Sequence, residues 1–112
     1  MIKNSLPKAL SYEAFKNLMD SLLLQGKTTG DDQSEFMVSL TKLNRQRIKR
    51  IDNTLEFSEE DLLPFKQISK GQLWLVISEA WCADAAQIVP VLSKIAESNP
   101  LIDLKIVLRD EN

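Results

Sequence analysis

Cys82 is the single thiol of a 112-residue chain. It lies in LWLVISEAWCADAAQIVPVLSKIA, residues 73–96, where an unbroken apolar run stops at Ser78 and a helical pattern starts at once. A cysteine at a helix start meets unpaired N–H groups and about half a unit of positive charge, which favour the nucleophilic thiolate. Trp81 beside it offers a flat apolar surface for a substrate chain. Asp84, two residues on, suits a helix start, but its negative charge opposes a thiolate and so modulates the thiol pKa. The chain has no histidine. That excludes Ser-His and Cys-His nucleophile pairs and removes the commonest metal ligand, and one cysteine cannot supply a thiolate cluster. No metal and no cofactor is expected. Chemistry is left to Cys82, to carboxylates, and to Lys and Tyr side chains.

The elements that must position this junction divide near residue 70. Residues 1–70 read as a helical extension and 71–112 as a βαβ unit, together one compact domain. In the first part Tyr12, Phe15, Leu18, Leu22 and Leu23 share a helical face, with Ser11 as N-cap and Gly26 as the residue that stops the helix. A second helix runs from about Ser34 to about Asp52, with Met37, Leu40, Ile48 and Ile51 as its apolar stripe, widened by Phe36 and Leu43. Ser58 and Asp61 form a capping signal for a short helix that Pro64 cuts short or kinks. In the second part Leu73 to Ile77 is a continuous apolar run, expected for a strand covered on both faces, with Trp74 in the core. Residues 82–97 carry Ile88, Val91, Leu92 and Ile95 at helical spacing, and Pro90 should kink that helix. Ile102, Leu104, Ile106 and Leu108 then alternate as in a strand.

Composition fits one ordinary domain, with 44% hydrophobic and 27% charged residues, enough for a core without staples. A net charge of −2 gives no general attraction to nucleic acid or to acidic membranes, so neither is expected as a partner. A lone cysteine cannot close an internal disulfide, and MIKNSLPKAL has no apolar leader core, so the chain reads as cytoplasmic.

WCADAAQIVPVLSKIA resembles the thioredoxin family, in which Trp-Cys-x-x-Cys joins a buried strand to a helix that carries a proline kink. Trp81, Cys82 and Pro90 stand at matching spacing, and the resemblance covers residues 72–109. GKTTGDDQ and TKLNRQRIKR look like the helical extension of a bacterial thioredoxin-like subgroup whose active-site motif is often degenerate. The resemblance implies an α/β fold, N-terminal helices followed by a partial thioredoxin-like βαβ unit. It places Cys82 at the attacking position, Ala85 where the second, resolving cysteine would stand, and Val76 where the family has a buried aspartate. The family's further hairpin, its cis-proline and its closing helix have no counterpart before Asn112. The resemblance therefore implies a chain truncated at its C-terminus, in which the second strand would border an absent hairpin.

Two functions follow. One is a redox protein acting through the single thiol of Cys82, resolved by a low-molecular-weight thiol or a partner's cysteine, and not a dithiol oxidoreductase. The other is a non-catalytic module that binds another protein. Open sheet edges point to a homodimer through strand pairing or helix exchange. Lys42, Arg45, Arg47, Lys49 and Arg50 form a basic cluster, either a grip for an anion or a solvated face near a helix C-terminus. Gly26, Lys27, Thr28 and Gly30 lack the preceding strand and glycine spacing of a phosphate loop.

Overall fold

Among the described residues, three of the four α-helices begin on a serine whose hydroxyl takes one of the first free N–H groups. In the computed structural model, which describes residues 8–109, Ser11 accepts from the Ala14 N–H at 3.1 Å and opens α1, Tyr12–Leu24. Ser34 accepts from Met37 at 3.3 Å and opens α2, Glu35–Thr54. Ser58 and Asp61 exchange both bonds of a capping box at the start of α3, Glu59–Lys66, which runs two residues past Pro64 before it ends. At the end of α1, Gly26 takes φ +68°, and the bonds from Gly26 to Leu23 and from Lys27 to Leu22 complete a Schellman stop. Most of the N-terminal stretch read above as lacking an apolar leader lies outside the described residues.

The strands β1, Gln72–Ser78, and β2, Ile102–Leu108, pair in parallel with Gln72 opposite Ile102 and Ser78 opposite Leu108. Helix α4, Ala83–Glu97, connects them and carries Pro90 in its interior. N-terminal helices followed by a βαβ unit are the architecture that the sequence implies. Tyr12, Phe15 and Met19 of α1, Ile48 of α2, Ala86 and Val89 of α4, and Ile106 and Leu108 of β2 form one core. Among the described residues no helix is long and apolar enough to cross a membrane.

Several expected faces turn out rotated. On α2 the buried positions are Thr41, Asn44 and Ile48, while Phe36 is 68% exposed and Leu43 lies at the surface. The inner face of α2 meets polar backbone, described below, and so it is partly polar. On α4 the small residues Ala86, Pro90 and Ser93, with Val89, face inward and Ile88 is 53% exposed. β1 is not covered on both faces: Leu73 and Ile77 are 48% and 62% exposed. Trp74 is half-buried and stacks edge-on against Phe65 at 6.1 Å, outside the main core. The outer edge of β2 is not bare, because Leu10 exchanges two 2.7 Å hydrogen bonds with Ile106 in an antiparallel bridge. The edge without such a partner among the described residues belongs to β1.

α1 is fastened to the C-terminal half of α2 through Asp52. The Tyr12 hydroxyl donates to its carboxylate at 2.7 Å and Lys16 Nζ at 3.0 Å, and Lys16 also reaches Glu13 at 2.9 Å. Burial, and then the Asp52 carboxylate, push the Tyr12 phenol well above its usual range. Burial works against the charge of Lys16, but Glu13 and Asp52 outweigh it and raise its pKa. Both groups therefore hold their protons longer when folded. Their contribution is complete below about pH 10 and falls as pH rises beyond it. Tyr12→Phe is expected to lower stability by about 1.5–3 kcal/mol at neutral pH and to flatten the decline above pH 10, measured by urea unfolding across that range.

Candidate functional site

Among the described helices, α4 is the one without a side-chain cap. Its N-cap is Cys82, extended at φ −79° and ψ 114°, and the cysteine side chain makes no capping bond. The Cys82 N–H donates to the Glu79 carbonyl at 3.1 Å, and the Cys82 carbonyl accepts from Ala86 at 3.2 Å. The half-buried thiol thus stands at the positive end of a 15-residue helix. Trp81 is half-buried beside it, and the Arg109 guanidinium at the end of β2 lies 4.8 Å from the Trp81 ring centroid. Asp84 is exposed in the first turn. Ala85 and Val76 both pack against the main core, and Pro90 is buried. The structure therefore brings Trp81, Cys82, Asp84 and Ala85 together, with Pro90 about two turns further along.

The turn before the thiol is held from the N-terminal half. Ala80 is 1% exposed, and two side chains satisfy its peptide groups. Its N–H donates to Thr29 Oγ1 at 2.9 Å, and its carbonyl accepts from Asn44 Nδ2 at 3.2 Å. The Thr29 hydroxyl in turn donates to the carboxyl group of Glu79, which is buried. Gln33 shapes the Thr29 loop, donating to the carbonyls of Thr28 and Gly30 and accepting from the Thr28 N–H. The Thr28 hydroxyl is bonded to that of Thr41 on α2. GKTTGDDQ and TKLNRQRIKR thus supply the two arms of a clamp on the residue pair Glu79–Ala80.

The family model described as thioredoxin matches residues 30–112, well over half of the chain. The chain belongs to the thioredoxin family. The match takes in α2 and α3 as well as the βαβ unit, and so covers TKLNRQRIKR and part of GKTTGDDQ, read above as the helical extension, besides residues 72–109. Comparison with curated proteins and with solved structures gives no significant match. In this thioredoxin-family chain, no group of three or more His, Cys, Asp or Glu among the described residues is arranged to hold a metal.

Four residues at the site escape sequence reasoning: Glu79, Thr29, Asn44 and Arg109. Glu79 left a trace, an acid directly after an apolar run. Asn44 left another, since Thr41, Asn44 and Ile48 are spaced as one helix face. Thr29 lies within GKTTGDDQ, but that stretch does not reveal its partner, and Arg109 left no trace, because each acts on a residue far away in the chain.

Proposed function

We propose that this thioredoxin-family protein acts through the single thiol of Cys82, by exchange with disulfides. The observation that carries the reading is the uncapped α4 N-terminus with a half-buried cysteine at its cap position. The Cys82 thiolate attacks one sulfur of a substrate disulfide, forming a mixed disulfide as the substrate bond breaks. The other half leaves as a thiolate and takes up a proton. An external low-molecular-weight thiol, or a partner's cysteine, then attacks the mixed disulfide and returns Cys82 to its thiolate. Trp81, beneath the Arg109 guanidinium, is the surface on which the substrate chain lies. Asp84 opposes a second negative charge nearby and moderates the rate. A reducing, cytoplasmic setting fits a protein with one thiol and no internal disulfide.

Intact-mass spectrometry after treatment with glutathione disulfide tests this. One glutathione adduct is expected, absent in Cys82→Ser, and Asp84→Asn should form it faster. A wild-type protein that stays unmodified while unfolded protein reacts would leave Cys82 a structural residue.

The open edge of β1 supports a second reading, a protein-binding module whose partner is another copy of this chain. Its backbone groups, without a strand partner on that side among the described residues, stand beside the exposed Leu73 and Ile77. Sedimentation at micromolar concentration should show a dimer that Ile77→Lys converts to monomer. A cooperative monomer at all concentrations would exclude edge pairing.

A further inference from the structure

Between the C-terminal half of α2 and the middle of α4 lies a cleft of about 540 Å³. Ile51 and Leu55 on one wall and Val91 on the other make it largely apolar, and Arg47, Arg50 and Gln87 add polar groups. The arginines belong to the basic cluster seen in the sequence, and their surroundings separate them from its other arginine. Arg45 is neutralised by Asp20, with bonds of 2.8 and 3.3 Å. Among the described residues no carboxylate lies within 4.0 Å of Arg47 or Arg50. Arg47 is half-buried and its guanidinium is oriented by Asn44 Oδ1 at 3.1 Å, which leaves it further donors. A solvated face would explain charge at this end of α2. It does not explain why two guanidinium groups without carboxylate partners line the same apolar hollow.

We propose that this cleft binds a small amphipathic organic anion, its hydrocarbon body against Ile51, Leu55 and Val91 and its acid group on Arg47 and Arg50. A guanidinium presents a planar fork of donors that matches a carboxylate or phosphate, and is weakly enough hydrated to work beside apolar surface. The volume lies within the roughly 300–1,000 Å³ typical of small-molecule sites, and the mixture of apolar walls with a few convergent polar groups is the usual lining. An inorganic anion would leave the walls wet, and a neutral hydrocarbon would leave the arginines unanswered. Gln87 and Val91 lie on the helix that starts at Cys82, but the site does not depend on the thiol reading.

Calorimetric titration of the full chain with sodium octanoate tests the proposal, with octanol and inorganic phosphate as the two half-ligands. Saturable one-to-one binding of octanoate is expected, about tenfold or more tighter than either half-ligand. Arg47 holds Asn44 and could affect folding when replaced, so the variants are Arg50→Gln and Gln87→Glu, both at exposed positions. Each should weaken octanoate binding about tenfold, the first by removing a donor and the second by adding a repelling charge, with the urea midpoint unchanged. The proposal is overturned if octanol binds as tightly as octanoate, if both variants bind like wild type, or if no saturation is reached. Tighter binding of a leucine-terminated peptide than of octanoate would overturn the small-ligand reading in favour of a protein partner.

Discussion

Ala85→Cys is expected to turn this protein into a working dithiol reductant. The substitution creates Cys-Ala-Asp-Cys at the start of α4, the Cys-X-X-Cys spacing in which one thiol releases the mixed disulfide formed by the other. Residues three apart in a helix have Cβ atoms about 5–6 Å apart, and a modest local adjustment brings them to bonding distance. In the proposed mechanism wild type waits for an external thiol at every turnover. A thiol held one turn away acts at an effective concentration far above that of dissolved reductant, so dithiothreitol-driven reduction of insulin should rise roughly tenfold or more. Wild type itself should turn over slowly, and Cys82→Ser should abolish the gain in the double variant. If Ala85→Cys forms an internal disulfide but reduces insulin no faster, substrate access at Trp81 is limiting instead. Fast insulin reduction by wild type that survives Cys82→Ser would remove Cys82 from the mechanism.

The junction that carries this prediction was legible because its signals are local. The end of an apolar run, a lone cysteine, a tryptophan and a proline at helical distance are all read within two dozen residues, and the serine caps are set by side chains three positions from their partners. Periodicity placed the helices and found the inner face of α1, with Tyr12 and Phe15, but misjudged part of the inner face of α2 and α4. It scores Phe36, Leu43 and Ile88 as core because they are apolar, although α2 meets the Ala80 carbonyl and the Thr28 loop, which call for Asn44 and Thr41. The run from Leu73 to Ile77 misled in the same way. An apolar strand residue is buried only if something covers it, and the cover is a tertiary fact. The bridge from Leu10 to Ile106 joins residues far apart in the chain through backbone groups alone, which leave no mark in side-chain patterning.

The clamp on Glu79–Ala80 yields the largest stability effect expected from a single hydroxyl. Thr29→Val keeps the shape of the side chain but removes the acceptor for the Ala80 N–H and the donor to the Glu79 carboxyl group, in a region where both residues are buried. Leaving a buried polar group unmatched costs the full desolvation penalty, so the loss should be about 2–4 kcal/mol, read from urea unfolding. Thr29→Ser retains the hydroxyl and should recover most of it, which separates the hydrogen bonds from packing of the methyl group. The clamp also fixes the turn that presents Cys82, so Thr29→Val should change the rate of glutathionylation under folding conditions. Asn99→Ala supplies the control. It removes bonds from Asn99 Nδ2 to the carbonyls of Phe65 and Ile68, and from the Leu101 N–H to Asn99 Oδ1, at the opposite end of β1 from the thiol. Its stability loss should be comparable, with the thiol rate unchanged once unfolded protein is accounted for. Equal effects of the two variants on the thiol rate would mean that Thr29 acts only through global stability. A Thr29→Val protein as stable as wild type would mean that the clamp does not hold the junction at all.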